Sequence, residues 1–334
     1  MAPPRLTIAI PTLNRAHCVA RTIESALAQA RDDVEILVSD NGSTDTTPDV
    51  LARFSDPRLR KLRHDATMPA AAHGNFLIEY ARGELFLGLS DDDWLEPGFA
   101  AAVIEHFDRH PRIAFGYTLA WMHYADIVVP SLPGPETEPG MDFLREFFAG
   151  RREVMWCACV TRTRDLRKLQ LPDGCIIGDM YLWTRLAALG SVGCVSRHLS
   201  HYLWYDPSHR NAVTATPVLP WAREVRQLAD GVADAMRQQG LGRAPMAAFQ
   251  RNANCFVARS TANQFMWNAL RGMPRRELLH AMFRAFRYLT GDFTVWLRVI
   301  GGTAAPRWLI EQRMLAAARR LAARRDRASA AITP

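Results

Sequence analysis

The sequence predicts an α/β protein, a mostly parallel sheet flanked by helices and followed by an all-helical region. Three observations carry this expectation. Strand-like and helix-like segments alternate through the first two hundred residues, the pattern of a parallel sheet covered on both faces. Three of the strand-like runs end in polar clusters, as strands do where an open sheet meets its ligand. From about Pro217 onward the apolar spacing becomes helical only.

Leu6 to Pro11 is an apolar strand, and Arg15 to Gln29 places Val19, Ile23, Ala26 and Leu27 at helical spacing. Glu35 to Ser39 is a second strand, closed by the turn signal Asp40-Asn41-Gly42-Ser43. A helix from about Thr46 has Pro48 in its first turn. Leu59 to Arg63 reads as a strand, Ala70 to Ala81 as a helix, and Glu84 to Leu89 as a strand that ends in Ser90-Asp91-Asp92-Asp93. Pro97 opens a helix to about Arg109, and Ile113 to Tyr124 is the next strand. Pro130 to Gly140 reads as a loop, Val154 to Thr161 as a strand, Asp179 to Leu189 as a helix, and Leu199 to Asp206 as a strand and turn. Helices are expected over Trp221 to Gln239, Pro245 to Leu270, Arg275 to Leu289 and Pro306 to Arg325. The expected division is residues 1–212 as a catalytic domain and 213–334 as a helical region with a basic end.

Composition narrows the function classes. At 334 residues, 49% hydrophobic and 22% charged, the chain is long enough for a sizeable core. No apolar signal segment precedes Leu6, and no uncharged apolar run approaches the ~20 residues of a membrane span. The expectation is a cytoplasmic protein. The six cysteines form no C-x-x-C pair, which argues against a zinc or disulfide framework. In a strand, Cys157 and Cys159 would face the same side. From Arg271 to the end there are 13 Lys+Arg against four Asp+Glu, a net +9, so residues 1–270 carry −2 of the total +7. The basic balance belongs to the tail, which argues against nucleic acid as the partner of the sheet domain.

Three clusters fall at strand ends: Pro11-Thr12-Leu13-Asn14-Arg15, Asp40-Asn41-Gly42-Ser43, and Ser90-Asp91-Asp92-Asp93. Adjacent carboxylates repel one another, and a hard cation such as Mg²⁺ or Mn²⁺ relieves that cost while bridging to phosphates. The plainer reading places acidic groups at a helix N-terminus, which accounts for one aspartate better than for three. No G-x-x-x-x-G-K-[ST] or G-x-G-x-x-G loop is present to cradle a diphosphate, so a metal is the expected counter-charge. Asp179, at the start of a helix, is open to two readings, an N-cap or a reactive carboxylate. His198, His201 and His209 flank the late strand and are expected to be pocket walls or surface groups.

Leu6 to Arg15 (LTIAIPTLNR), Glu35 to Asp45 (EILVSDNGSTD) and Gly83 to Pro97 resemble the family 2 glycosyltransferases of the GT-A fold. Asn75-Phe76, Ala81-Arg82-Gly83-Glu84 and Leu89-Ser90-Asp91-Asp92-Asp93 are similar to the abequosyltransferase-like branch acting on bacterial surface polysaccharides. The resemblance spans about residues 5–210. It implies a GT-A (Rossmann-like) domain that moves one sugar from a nucleotide-sugar donor to an acceptor hydroxyl with inversion. Pro11, Thr12, Asn14 and Arg15 would line the nucleotide pocket, and Asp40 would accept a hydrogen bond from the base. Asn75, with His73 near it, and Asp91 would lie by the nucleoside. Asp92 and Asp93 would hold Mn²⁺ or Mg²⁺, although Ser90 stands where the family's acidic motif begins with Asp. Ile177 to Ala187 resembles the family's Glu-Asp-x-x-Leu-Trp-x-Arg segment, with Gly178 in place of Glu, and makes Asp179 the base. Trp183 and Arg185 would brace that helix, and Trp204, Tyr205 and His209 would lie on the acceptor side.

The acceptor is expected to be a glycan or a lipid-linked glycan. The basic carboxyl-terminal helices, with Trp308 among their arginines, have two readings: a solvated face, or peripheral contact with the inner face of the membrane. Phe283, Phe286, Leu289, Phe293, Trp296 and Leu297 form an apolar helical face. The alternative from another class is a noncatalytic nucleotide- or sugar-binding relative of the same fold. A nucleotidyltransferase would need a glycine-rich first loop, and a processive synthase a Gln-x-x-Arg-Trp motif and membrane spans; none is found in the sequence.

Overall fold

A computed structural model of the chain describes residues 3–205, 218–270, 273–285 and 307–330. The elements are β1 (Leu6–Thr12), α1 (Val19–Leu27), β2 (Val34–Asp40), α2 (Thr47–Ala52), β3 (Leu59–Arg63), α3 (Ala70–Tyr80), β4 (Leu85–Gly88), β5 (Trp94–Leu95), α4 (Phe99–Arg109), β6 (Ile113–Tyr124), β7 (Ile127–Pro130), β8 (Thr137–Pro139), α5 (Gly140–Phe148), β9 (Cys159–Arg162), α6 (Thr163–Leu169), α7 (Gly178–Leu189) and β10 (Ser191–Tyr205). Four helices follow: α8 (Val218–Gln238), α9 (Arg243–Leu270), α10 (Arg275–Ala285) and α11 (Arg307–Ala330). Among the described residues no helix is long and apolar enough to cross a membrane.

The chain divides into two compact units, one of residues 1–123, 130–143 and 153–204 and one of residues 124–129, 144–152 and 205–334. The boundary expected at 212/213 falls outside the described residues. In the first unit the sheet order is β3-β2-β1-β4-β9-β6-β10-β5. β1 to β4 are parallel, with Leu6 opposite both Val34 and Leu85. β9 runs antiparallel between β4 and β6, and β5 and β8 pair antiparallel with β10. The sheet is thus parallel in its first half and mixed beyond, and mostly parallel in the part that ends in the polar clusters.

The apolar patterns explain the core. β1 and β2 are covered on both faces, so their side chains are buried almost without alternation. α1 buries Val19, Ile23 and Ala26, the stripe its spacing foretold, against Leu6, Ile8, Val34 and Ile36. One buried polar group crosses the strands. Glu35 accepts hydrogen bonds from the Thr7 hydroxyl at 2.6 Å, the Arg82 amide at 2.8 Å and Arg60 at 2.5 Å. Gly83 lies directly on β1: a Cβ there would come within 2.4 Å of the Thr7 amide nitrogen and 2.7 Å of the Leu6 carbonyl carbon. Its own amide donates to the Thr7 hydroxyl at 2.8 Å, so this approach is part of the connection into β4.

Two local expectations are corrected. Val154 to Thr161 is not one strand; a short 3₁₀ turn over Trp156–Ala158 precedes β9. Cys157 and Cys159 are therefore not related by strand alternation, although both are buried, and all six cysteines are free. The segment 130–140, expected to be a loop, contains β8, which pairs with residues 191–193 of β10. In the second unit, α8 buries Ala222, Val225, Ala229 and Val232, and Phe148 packs edge-to-face on Phe249 and Phe256 at 5.3 and 5.0 Å. The apolar positions Phe286 to Leu297 lie outside the described residues, and the side chain of Phe283 is not described.

Gly83→Ala is expected to lower unfolding stability by about 1–3 kcal/mol or more, since backbone rather than a flexible side chain must move. Chemical denaturation checks this; a variant as stable as wild type contradicts the close approach.

Candidate active site

All three polar clusters lie at the carboxyl-terminal edge of the parallel strands. Thr12 is opposite Asp40, the Asn41 amide donates to the Thr12 carbonyl at 2.9 Å, and the Leu89 amide donates to the Ala9 carbonyl at 2.9 Å. Pro11 and Thr12 end β1, with Thr12 buried. Asn14 takes a positive φ of 55° and ties the first two clusters together. Its amide donates to the Ser43 hydroxyl at 2.8 Å, and its side-chain oxygen accepts from the Thr44 amide at 2.8 Å. Asn14 is thus spent on loop architecture, and the neighbouring Arg15 carries the charge. The Arg15 guanidinium lies 3.5 Å from an Asp91 oxygen and 3.7 Å from an Asp92 oxygen.

Asp40 is 1% exposed; one oxygen accepts from the Ser43 amide at 2.8 Å. The other makes no hydrogen bond among the described residues and faces Arg63 at 3.7 Å. Gly42, at φ 81°, permits the turn between them. Behind β2, the Ser39 hydroxyl meets ring nitrogens of His73 at 2.8 Å and His64 at 3.1 Å. Burial, with His64 adding, pushes His73 down to about 4, so it is a neutral wall group. Asn75 is likewise committed: its carboxamide donates to the Leu171 carbonyl at 2.9 Å and accepts from the Leu171 amide at 2.7 Å. The Leu171 side chain in turn lies against Gly74 and Gly178, which fixes the approach to Asp179.

The acidic triplet is gripped by its main chain. Arg21 donates to the Asp92 carbonyl at 2.9 Å, and the Thr22 hydroxyl donates to the Asp93 carbonyl at 2.7 Å. Arg21 is held over the Trp94 ring at 3.7 Å, and His201 stacks on that ring at 4.6 Å with His123 tilted against it at 4.7 Å. Asp93 is 1% exposed; one carboxylate oxygen accepts from the Leu203 amide at 2.8 Å. Its Oδ2 is buried and accepts no hydrogen bond among the described residues. Burial pushes the Asp93 carboxyl well up, with Asp92 adding to the push. Burial also raises Asp91 to about 6, against the pull of Arg15.

Asp179 is the second residue of α7, whose cap position is Ile177, so the N-cap reading of Asp179 does not hold. It is half-buried, and the protein packed around it raises its carboxyl above the usual range. Its charge is felt by Cys159 and by Tyr202. Burial raises the phenol of Tyr202, with Asp93, Asp179, Cys157 and Asp92 adding to the push in that order. Tyr202 is one of several aromatics in its stretch of sequence; β10's register, with the Leu203 amide on Asp93, brings it toward the triplet. Trp204 is half-buried and meets Tyr202 edge-to-face at 5.6 Å. Tyr205 ends β10 with its side chain not described, and His209 lies outside the described residues. Trp183 packs in the core against Phe143 at 6.0 Å, and Arg185 lies over Tyr181 at 4.4 Å, both bracing α7 as expected.

His201 is bound to Glu96 at 2.7 Å and to His123 at 2.9 Å, and His198 stacks on Trp121 at 4.3 Å. Among the described residues, the group with metal-ligand spacing is instead His106, His110 and Glu136, whose ligand atoms lie within 4.8 Å of one another. The sequence reading missed it, because Glu136 is brought to α4 only by the fold. Glu136 is already bound by Arg109 and by His110, the latter at 3.0 Å. This group sits at the other edge of the sheet from the clusters, since Arg5, just ahead of β1, bonds Asp108 of α4 at 2.5 Å.

Residues 7–132 match the family described as "Glycosyl transferase family 2". The chain is 36% identical over 105 residues to the succinoglycan biosynthesis protein ExoO of Rhizobium meliloti (strain 1021), covering 31% of this chain and 30% of that one. It is 32% identical over 117 residues to a chondroitin synthase of Pasteurella multocida (strain Pm70), covering 34% and 12%. It is 29% identical over 114 residues to the UDP-Glc:alpha-D-GlcNAc-diphosphoundecaprenol beta-1,3-glucosyltransferase WfaP of Escherichia coli, covering 34% and 45%. The matched segment is thus less than half of each of these relatives. Among solved structures, S. aureus TarS 1-349 superposes with a TM-score of 0.59 at 16% identity, over 85% of this chain and 89% of that one. The mannosyltransferase PcManGT from Pyrobaculum calidifontis, in complex with GDP-Man and Mn²⁺, gives 0.52 at 16% identity over 96% and 87%. At such identities the likeness is one of fold, and the fold is GT-A. The sequence matches relate the amino-terminal segment to family 2 glycosyltransferases, several of them named for polysaccharide synthesis.

A carboxyl raised by folding stabilises fully below its unfolded value and loses that contribution as pH rises through the folded value. For Asp91 this window runs from 3.8 to about 6, and Asp93 extends it upward. The metal-free protein is therefore expected to lose stability as pH rises across that range. Asp93→Asn is expected to raise Tm at neutral pH by about 2–4 °C for each ~1 kcal/mol relieved. A lower Tm in Asp93→Asn would mean that the buried carboxylate is compensated.

Proposed function

We propose that this protein is an inverting glycosyltransferase that moves one sugar from a nucleotide-sugar donor to an acceptor hydroxyl in the synthesis of a bacterial surface polysaccharide. The observation that carries this reading is the buried Asp93 carboxylate beside Asp91 and Asp92, one oxygen of which accepts no hydrogen bond within standard distance among the described residues. The abequosyltransferase-like branch is part of the proposal and rests on the form of the Asn75 to Asp93 segment. So is the division into a catalytic domain, 1–212, and a helical region, 213–334.

The donor set suits a hard divalent cation, Mn²⁺ or Mg²⁺: it is all oxygen, two of the carboxyls are buried, and the Asp93 carboxylate has the Cys157 thiol beside it but no cationic partner among the described residues. Asp92 and Asp93 would hold it, and its chemistry there is to neutralise charge on the departing nucleoside diphosphate. Arg15 holds Asp91 and Asp92 in place and adds a fixed positive charge for the diphosphate. The free oxygen of Asp40 accepts a hydrogen bond from the base, with Pro11 and Thr12 as the adjoining wall. Asn14 and Asn75 serve the pocket by holding its loops.

Asp179 acts as the base. It takes the proton of the acceptor hydroxyl as that oxygen bonds to the anomeric carbon, and the bond from that carbon to the diphosphate oxygen breaks with its electron pair leaving on the nucleotide. A single displacement inverts the anomeric centre. Its raised pKa makes Asp179 a stronger proton acceptor and sets an acid limb in the rate profile. Trp204, Tyr205 and His209 line the acceptor side. The acceptor is a glycan, lipid-linked as in the relatives whose names specify a diphosphoundecaprenol, and the protein works in the cytoplasm.

A thermal-shift screen of UDP, GDP, CDP and dTDP, each with and without Mn²⁺, tests the donor site. One nucleotide is expected to stabilise the protein only with metal, and Asp92→Ala to abolish the shift, because ligand binding to the native state raises apparent stability. No shift with any nucleotide in the folded protein argues for a noncatalytic relative. Asp179→Asn is expected to cut transfer by about 10²–10⁴-fold while retaining the nucleotide shift; full activity in that variant would remove Asp179 as base.

A further inference from the structure

The basic excess of this chain lies beyond residue 270, and α11 carries a net +5 of it. On α11, Arg313, Arg319, Arg320 and Arg324 are exposed, with Ala317 and Ala323 between them, while Arg325 is buried. At 100° per residue, Arg313, Arg320 and Arg324 fall within roughly a 40° arc and extend for about 16 Å along the helix. The acidic positions of α11, 311 and 326, fall on the opposite side by helical spacing. Arg319, about 120° away around the helix, lies 3.9 Å from Asp126. Arg313, Arg320 and Arg324 have no ion-pair partner among the described residues.

A solvated arginine-rich helix ordinarily offsets its charge with acidic residues three or four positions away. Here Arg320 and Arg324 are an i, i+4 like-charge pair, which costs an exposed helix a few tenths of a kcal/mol. Alanine spacers leave the guanidinium groups as the outermost feature and provide no large apolar wedge. Such a straight stripe fits a flat anionic plane and would rest on it rather than insert. Outside α11 the chain carries a net of +2 over residues 1–306, too little to make a continuous basic path for a polynucleotide.

We propose that the exposed face of α11, through Arg313, Arg320 and Arg324, is a docking surface for an anionic phospholipid bilayer. The attraction is electrostatic and reversible, worth about tenfold in partition for each one to two arginines near such a surface. The benefit to catalysis rests on the proposed lipid-linked acceptor: a protein whose described helices do not span the bilayer meets such an acceptor by adsorbing to it. The docking itself does not require that reading.

The test is cosedimentation of the full chain with vesicles of phosphatidylcholine alone and of phosphatidylcholine with phosphatidylglycerol, in low and high salt. Binding is expected only to the anionic vesicles and to fall steeply with salt. R313A/R320A/R324A, with an unchanged Tm, is expected to lower partition on the order of a hundredfold, whereas R319A has a much smaller effect. Asp92→Ala is expected to bind vesicles as wild type does, so that failure of the donor reading leaves this result intact. The proposal is overturned by equal binding to neutral vesicles, by no binding at low salt, by a triple variant that partitions unchanged, or by tighter binding to duplex RNA or DNA than to anionic vesicles.

Discussion

Three consecutive carboxylates at the end of β4, two of them buried, are the constraint around which the first unit is organised. Left to themselves they repel at short range in a medium that screens poorly. The fold therefore holds them by main chain and by neighbours: Arg21 and Thr22 of α1 take the carbonyls, the Leu203 amide takes one Asp93 oxygen, and Arg15 stands between Asp91 and Asp92. The residual cost appears as raised carboxyl pKa values at Asp91 and Asp93. A protein retains such a cost where a cation or substrate charge returns it on binding.

The same grip explains why distant segments matter to the site. α1 reaches the triplet because its Val19-Ile23-Ala26 stripe fixes it on the sheet, which leaves Arg21 and Thr22 on the side of Asp92 and Asp93. β10 contributes its Leu203 amide and Tyr202 because it lies beside β5, immediately after the triplet. Asn75 of α3 fastens Leu171 with both ends of its carboxamide, and Leu171 meets Gly178 next to Asp179. The triplet and Asp179 are thus held by different elements, the one by α1 and β10 and the other at the start of α7.

Much of this was legible in the sequence where the information is local. Short strand-like runs bounded by turn signals marked β1 to β4, helical spacing marked α1, and the strand-end position of the three clusters followed from the alternation of strands and helices. What escaped was set by long-range pairing. β8 is three residues without a strand pattern of its own, and the 3₁₀ turn at Trp156 interrupts a run that looks continuous. The hydrogen bonds that tie Asn14 to Ser43 and Thr44, and Asn75 to Leu171, likewise join segments far apart in the chain. Tyr202 and the His106–His110–Glu136 group could not be singled out, because each acquires its neighbours from segments far along the chain.

The two candidate cation sites, at opposite edges of the sheet, make the central claim directly testable. Anomalous diffraction from crystals grown with Mn²⁺ and the stabilising nucleoside diphosphate would locate the ion. The account predicts a peak within coordination distance of Asp92 or Asp93, with the Asp93 Oδ2 oxygen turned to it and the diphosphate beside it. A peak confined to His106, His110 and Glu136, with the nucleotide bound and the triplet empty, would contradict it.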